Sequence, residues 1–150
     1  MRISRKAEHA LRALAAMARS PMGTTFLNHE LSAAERIPIK MLEQVLVVLK
    51  NNGLLRSKRG AGGGYQLAVP PAQISLGQVV VPFDGAFDPV ACTIALDKSG
   101  ARCECGLPGG CPLARTFSSL RDSVRGWFNA TTIADIIAND PPQEAVTFEI

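Results

Sequence analysis

Apolar residues recur every three or four positions along the first fifty residues of the chain, which is the spacing of one face of an α-helix. The pattern predicts helices over about Ser4–Ser20, Asn28–Arg36 and Pro38–Asn51. Asn28 is of a type favoured at an N-cap, and Pro38 suits the first turn of the third helix, where its missing N–H costs nothing. The apolar positions predicted to face the core are Ala7, Ala10, Leu11, Leu14, Met17, Leu31, Ala34, Met41, Leu42, Val45, Leu46 and Leu49.

A β-hairpin is predicted directly after the third helix. The stretch LLRSKRGAGGGYQLAV contains two short segments of alternating apolar and polar residues on either side of a glycine-rich turn. In the second segment Tyr65, Leu67 and Val69 fall on one face, as the period of two of a β-strand requires. Two prolines then end the strand.

The second half of the chain is again helical by pattern, with helices predicted at about Ser75–Phe83 and Pro112–Phe128. Thr132 and Asp135 form a capping pair for a short last helix, IADIIA. Apolar residues of the long helix alternate spacings of four and three, as in a coiled-coil seam. The seam is predicted to form a dimer interface and consists of Leu113, Phe117, Leu120, Val124 and Trp127.

Three helices followed by a hairpin is the order of a winged helix-turn-helix, in which the helix after the turn enters the major groove of DNA. We therefore predict a mainly α protein with a small β-wing. A winged helix-turn-helix DNA-binding head would span residues 1–72, a sensor loop and long dimerisation helix residues 73–138, and a flexible tail residues 139–150.

Charge is distributed unevenly along the chain. Residues 1–70 carry 11 Lys/Arg and 4 Asp/Glu, for a net charge of +7, whereas residues 71–150 carry 5 and 9, for −4. A basic head on an acidic second half favours contact with a polyanion, and the hairpin adds Arg56, Lys58 and Arg59. The alternative is a winged helix used only for protein contacts.

Two other classes of protein fit the sequence poorly. No stretch approaches the roughly 18 apolar residues of a membrane span, and polar residues interrupt the apolar part of the N-terminus, so we expect a cytoplasmic protein without a signal peptide. The glycine run RGAGGGY lacks the last glycine of a dinucleotide fingerprint, because Tyr65 stands there, and it precedes a strand instead of a helix.

All four cysteines lie in one glycine-rich segment, CTIALDKSGARCECGLPGGC, which we call the cysteine segment (residues 92–111). A reducing cytoplasm disfavours structural disulfides. Clustered thiolates suit an iron–sulfur cluster, whereas zinc sites usually use paired C-x2-C knuckles, which are absent here. A metal-free thiol switch, zinc and a vestigial site remain alternatives.

The block LEQVLVVLKNNGLLRSKRGAGGGYQL, with MRIS at the start and TIAD near the end, resembles the IscR/NsrR/RirA/CymR family of bacterial winged-helix regulators over about residues 1–138. The resemblance implies homodimers that bind near-palindromic operators, some with an iron–sulfur cluster and others without. It implies that Lys40, Glu43 and Gln44 lie on the recognition helix and that Arg59 enters the minor groove. The wing residues Arg56, Lys58 and Gly60 complete the predicted DNA-binding set. Arg36 stands where relatives often have a turn glycine.

The resemblance also implies a set of cluster ligands. Cys92, Cys105 and Cys111 match the cysteine positions, with the characteristic C-x5-C between the last two, and Cys103 is an extra thiol and the alternative ligand. Glu8 matches a carboxylate ligand on the first helix. Ala114 and Arg12 stand where other versions of the family place a histidine.

Together these features predict a sequence-specific transcription regulator, not an enzyme, that senses redox state, nitric oxide or iron through an iron–sulfur cluster. The alternatives are a metal-free regulator of the same fold, responding to thiol chemistry or a small molecule, and a cluster-bearing redox protein.

Overall fold

The computed structural model describes residues 2–60, 63–90, 93 and 112–140. The helices are α1 (Arg5–Ala18), α2 (Asn28–Glu35), α3 (Ile39–Asn51), α4 (Leu76–Asp84), α5 (Pro112–Ala130) and α6 (Ile133–Ala138). The strands are β1 (Leu55–Lys58) and β2 (Gly64–Leu67), and a 3-10 turn covers Pro71–Gln73. The predicted order of elements and the mainly α fold with a β-wing are confirmed. Cys92, Cys103, Cys105, Cys111 and the tail from residue 141 lie outside the described residues.

The first three helices bury the apolar faces that the spacing predicted. Ser4 caps α1 by accepting a hydrogen bond from the backbone N–H of Ala7 (3.2 Å). Most of the predicted inward positions are buried, and Leu11 and Met41 are partly buried against the same core. Ala34 is an exception, because it is exposed on α2.

The prediction that Asn28 caps α2 was wrong. Leu27 holds the N-cap position without a side-chain cap, and Asn28 is the first helical residue. An N-cap side chain accepts a hydrogen bond from the backbone N–H of the second or third helical residue, whereas Asn28 lies one position later than the N-cap. Asn28 Oδ1 is buried and has no hydrogen-bond partner among the described residues. Pro38 likewise lies one position earlier than predicted, at the N-cap of α3.

Arg36 takes the left-handed conformation between α2 and α3, with φ 51° and ψ 42°. The backbone N–H of Arg36 bonds to the carbonyl of Ala33 (3.3 Å), and that of Ile37 bonds to the carbonyl of Ser32 (3.0 Å). Such a left-handed residue commonly ends a helix and is usually glycine. The turn is therefore kept although the glycine that the resemblance leads one to expect is absent.

Arg36→Gly is expected to raise the free energy of unfolding by roughly 0.5–1 kcal/mol, because glycine has no Cβ penalty in this conformation but loses more backbone entropy on folding. Arg36→Ala is the matched control, since alanine removes the same side chain and keeps the Cβ. Urea denaturation of both variants measures the difference. A glycine variant no more stable than the alanine variant would contradict the strain at this residue.

The wing is an antiparallel hairpin fixed to the segment between α1 and α2. Leu55 pairs with Leu67 and Arg56 with Gln66 across the ladder. The Phe26 N–H bonds to the carbonyl of Tyr65 (2.9 Å), and the Tyr65 N–H returns a bond to Phe26 (3.0 Å). A Cβ on Gly64 would overlap the Phe26 carbonyl, so glycine permits this close approach. Strand β2 is thus hydrogen-bonded to β1 on one side and to Phe26 on the other.

One hydrophobic cluster joins the three N-terminal helices to the second half of the chain. Ile74, Leu76, Val79 and Ile133 belong to the same cluster as the α1 and α3 side chains. α1 packs against both α4 and α6. The boundary at residue 72 between the DNA-binding head and the rest of the chain stays a prediction, but the apolar contacts continue across it.

Backbone hydrogen bonds from Leu76 to the Thr131 carbonyl and from Ile133 to the Ile74 carbonyl (both 2.9 Å) hold the starts of α4 and α6 side by side, and each start has its own cap. The predicted pair of Thr132 and Asp135 forms a full capping box, and the Thr132 hydroxyl and backbone N–H lie 2.7 and 2.8 Å from the Asp135 carboxylate. Hydrogen bonds from the hydroxyl first and the N–H second hold the pKa of Asp135 below its ordinary value. Ser75 and Gln78 form a second box on α4.

Candidate nucleic-acid interface and cysteine segment

The exposed side of α3 carries a continuous strip of polar residues. Lys40, Glu43 and Gln44 are exposed and lie at helical spacings of three and four, on the side opposite the buried leucines and valine of the helix. Val47, one turn beyond Glu43 and Gln44, extends the strip and is 43% exposed. Val47 was not among the predicted DNA-binding residues, although its spacing of seven from Lys40 places it on the same side of the helix. An apolar side chain at this place suits contact with a thymine methyl group.

The wing follows α3 after a short turn and presents its basic residues to solvent. Arg56, Lys58 and Arg59 are all exposed. The Arg56 Nε donates to Gln66 Oε1 (2.9 Å), and the Gln66 amide donates to the carbonyl of Gly23 (2.9 Å) and the hydroxyl of Thr25 (2.7 Å). This chain of hydrogen bonds orients the Arg56 guanidinium relative to the head.

The tip of the wing depends on glycine. Gly60 has φ 99°, a conformation that L side chains rarely adopt. A Cβ on Gly63 would lie 2.6 Å from the carbonyl oxygen of Lys58. Lys58 and Arg59 form no ion pair with the described carboxylates, so both charges are available to a polyanion. Beside the predicted DNA-binding residues of the wing, glycine is thus favoured by conformation at Gly60 and by space at Gly63.

The long helix α5 has one face buried within its own subunit and an adjacent face that carries the apolar seam. Ala114 and Arg121 are buried against the same subunit. On the adjacent face, Leu113, Leu120 and Trp127 recur every seven residues and are 57%, 46% and 59% exposed. The other two predicted seam residues, Phe117 and Val124, are half-buried. A row of large apolar side chains left in solvent is typical of a protein interface.

Glu8 is the one predicted cluster ligand that lies within the described residues. It is exposed in the first turn of α1. His9 next to it is buried, and its Nδ1 has no hydrogen-bond partner in the described part of the chain. Among residues 2–60, 63–90, 93 and 112–140, no group of three or more His, Cys, Asp and Glu side chains is placed to hold a metal ion.

Arg12 has a structural role in this chain. Its guanidinium donates to the main-chain carbonyl of Glu35 at the end of α2 and lies 3.5 Å from the Glu35 carboxylate. A cation at a helix C-terminus is favourable because it meets unpaired carbonyl groups. The position that holds a histidine in one version of the family therefore links α1 to α2 here.

None of the described helices is long and apolar enough to cross a membrane.

Residues 3–139 match the family model of Rrf2, described as an iron-dependent transcriptional regulator. The chain belongs to the Rrf2 family. It is 36% identical over 146 residues to Rv1287 of Mycobacterium tuberculosis, a candidate HTH-type transcriptional regulator, covering 95% of this chain and 85% of that one. It is 30% identical over 141 residues to the HTH-type transcriptional regulator IscR of Cronobacter sakazakii, covering 93% and 82%.

Structural comparison confirms the winged-helix fold of this Rrf2 protein. CymR, the global cysteine regulator of B. subtilis, superposes with a TM-score of 0.74 at 25% identity, covering 94% of this chain and 99% of that one. The family consists of DNA-binding transcriptional regulators and not of enzymes. The resemblance seen in the sequence and the predicted fold class are therefore confirmed.

Proposed function

We propose that this Rrf2 protein is a homodimer that binds a near-palindromic operator through α3 and the wing and responds to the state of its cysteine segment. The observation that carries the DNA interface is the exposed strip of α3 directly followed by a braced, basic, glycine-tipped wing. A helix with exposed polar residues fits the major groove, and cations on the wing fit the phosphate backbone.

The residues of this interface differ in what they contribute. Gln44 suits the edge of adenine and Glu43 the amino group of cytosine, so these two would specify sequence. Arg59 at the wing tip would enter a narrow minor groove, where the negative potential is enhanced. Lys40, Arg56 and Lys58 would contact phosphates, which sets affinity and register without reading bases.

Three substitutions in the interface are expected to have different effects on a duplex selected in vitro with the wild type. Arg59→Ala should weaken binding by about 1–3 kcal/mol, and Gln44→Ala should relax the preference at one base pair. Lys58→Ala should weaken all sequences alike and reduce the salt slope by about one unit. Fluorescence anisotropy over a salt series measures all three effects.

Arg115→Ala is the matched control for these variants, because it removes an exposed arginine from α5. It should bind as the wild type does. If Arg59→Ala, Gln44→Ala and Lys58→Ala all bind as tightly as wild type, the proposed contact surface is wrong.

Dimerisation would occur through the seam of α5. Two winged helices need a fixed spacing to occupy two half-sites about one helical turn of DNA apart. The exposed row of Leu113, Leu120 and Trp127 provides an apolar surface that a second copy of the helix would cover.

For the sensor we propose an iron–sulfur cluster held by Cys92, Cys105 and Cys111, with Glu8 of the partner subunit as fourth ligand and Cys103 as the alternative to Cys105. Three thiolates and one carboxylate form a donor set that suits iron, and the exposed Glu8 is accessible to a second subunit. When bound, the cluster supplies a centre whose redox state or integrity changes with the signal. The family description and the IscR relative support this choice.

Glu8 would connect the sensor to DNA binding. It lies on α1, which packs against α3, so the recognition helix and Glu8 belong to one packed unit. A bond between Glu8 and the partner's cysteine segment would restrict the orientation of the head, and its loss would shift the population of head orientations.

A metal-free regulator is the second candidate, favoured by the structural similarity to CymR, the global cysteine regulator of B. subtilis. Two of the four cysteines could then form a regulatory disulfide without any metal. This candidate shares the DNA interface and the dimer seam with the first and differs from it in the absence of iron.

A further inference from the structure

We infer that Arg121 and Arg125, which we call the arginine clamp, hold Asp88 and Thr93, which lie on either side of Cys92 in the sequence, on α5 and thereby couple the cysteine segment to the dimerisation helix. This inference rests on the proposed function. In the proposed function, Glu8 connects the cysteines to the DNA-binding head of the partner subunit. The arginine clamp adds a second connection, from the cysteines to the seam of their own subunit.

Arg121 is buried although arginine is almost never fully buried unless it is paired. Its side chain is 7% exposed. Nη1 donates to the main-chain carbonyl of Thr93 (2.7 Å), and Nε donates to the exposed carboxylate of Asp122 (2.9 Å). A buried charge is costly unless its hydrogen bonds are well made, so the bond to Thr93 contributes to keeping Arg121 buried here.

Thr93 is itself fixed. It is fully buried, its N–H bonds to the carbonyl of Val90 (3.0 Å), and its hydroxyl bonds to the same oxygen (2.6 Å). Cys92 directly precedes Thr93 in the sequence. Because Cys92 and Thr93 are joined by one peptide bond, a displacement of the Cys92 main chain would act directly on Thr93 and its bond to Arg121.

Arg125 provides a second attachment one helical turn later. Its Nη2 donates to Asp88 Oδ1 (2.8 Å), with side chains 33% and 17% exposed. Arg121 and Arg125 lie on one face of α5, at a spacing of four. Two successive turns of the helix therefore contact Thr93 and Asp88.

The clamp lies beside the dimer seam. Leu120 and Val124 directly precede the two arginines in the sequence, on the adjacent face of α5. A shift of Asp88 or Thr93 would therefore act on the helix that carries the seam. The spacing of the two heads on DNA depends on that helix, which provides a path from the cysteines to operator affinity.

Thiol alkylation of the reduced, metal-free full-length chain tests the clamp. Iodoacetamide labelling of each cysteine is followed by mass spectrometry in wild type, Arg121→Gln and the control Arg115→Gln, which removes an exposed charge from the same helix. Loss of a hydrogen bond from a charged group should increase local opening, so Cys92 should be labelled about tenfold faster in Arg121→Gln. Cys103, Cys105 and Cys111 should change by less than about twofold, and the control should match wild type.

The pattern across the four cysteines separates a clamp from general destabilisation. Unchanged labelling of Cys92 in Arg121→Gln, or equal acceleration of all four cysteines, would overturn the inference. If Arg121→Gln does not fold, Arg121→Lys takes its place: it keeps the charge but lacks the guanidinium fork, and Cys92 should again be the one cysteine labelled faster.

Operator binding tests the coupling. Alkylation of the cysteines should change the affinity of the wild type for its selected duplex, and this change should be lost in the Arg121 variant. An equal change in the variant, or no change in the wild type, would overturn the coupling. Wild-type protein that binds no duplex at all would instead refute the proposed function, while the labelling result would still decide whether the clamp exists.

Discussion

Leu120→Asp is expected to convert the protein to monomers and to abolish operator binding at concentrations that saturate the wild type. Leu120 lies in the middle of the exposed row on α5 and is 46% exposed in the single subunit. In a paired seam, the new carboxylate would be buried without a partner, at a cost of several kcal/mol per ion. Monomers lose the second half-site contact, and with it most of the affinity.

Ser119→Asp is the matched control, because it places the same charge on the neighbouring exposed position, off the seam. Sedimentation equilibrium measures the association of both variants, circular dichroism checks that they are folded, and anisotropy measures operator binding. The control should remain dimeric and bind DNA. A folded Leu120→Asp variant that still dimerises would remove α5 from the interface.

Alanine substitution of Cys92, Cys105 or Cys111 is expected to remove bound iron and sulfide, since each would supply one of the three thiolate ligands. Cys103→Ala is the matched control and should keep both. Iron and sulfide are assayed on protein purified without oxygen, together with the visible spectrum. Loss of the cluster in Cys103→Ala combined with its retention in Cys105→Ala would refute the ligand assignment.

Glu8→Ala should keep the thiolate ligands but alter the spectrum and weaken the response of operator binding to the signal. Glu30→Ala is its control, because Glu30 is also exposed and lies in the first turn of a helix. An unchanged spectrum together with an unchanged response in Glu8→Ala would remove Glu8 from the proposed connection between sensor and head.

Local spacing predicted most of the fold because each helix exposes one face and buries the other. The buried positions of α1 and α3 and the capping box of Thr132 and Asp135 follow from patterns within a few residues. The errors at Asn28 and Ala34 have a local cause: α2 is short and has few apolar residues, so its first residue and its inward face are weakly specified.

Features that depend on contacts between distant residues could not be predicted from the sequence. Arg121 donates to a carbonyl 28 residues away, and a polar residue beside an apolar seam gives no sign of burial. The arginine at position 36 gives no sign of its left-handed conformation, since arginine has no preference for it; only the resemblance, which places a turn glycine there, pointed to a turn. The exposure of Val47, by contrast, was predictable from its spacing of seven from Lys40.

The absorption spectrum of the protein purified without oxygen, with iron and sulfide assayed on the same sample, tests the proposed sensor most directly. We expect a visible band from thiolate-bound iron, bleached on exposure to the signal, together with stoichiometric iron and sulfide. Protein that remains colourless and iron-free after anaerobic cluster reconstitution would contradict the iron–sulfur sensor and favour the metal-free thiol regulator.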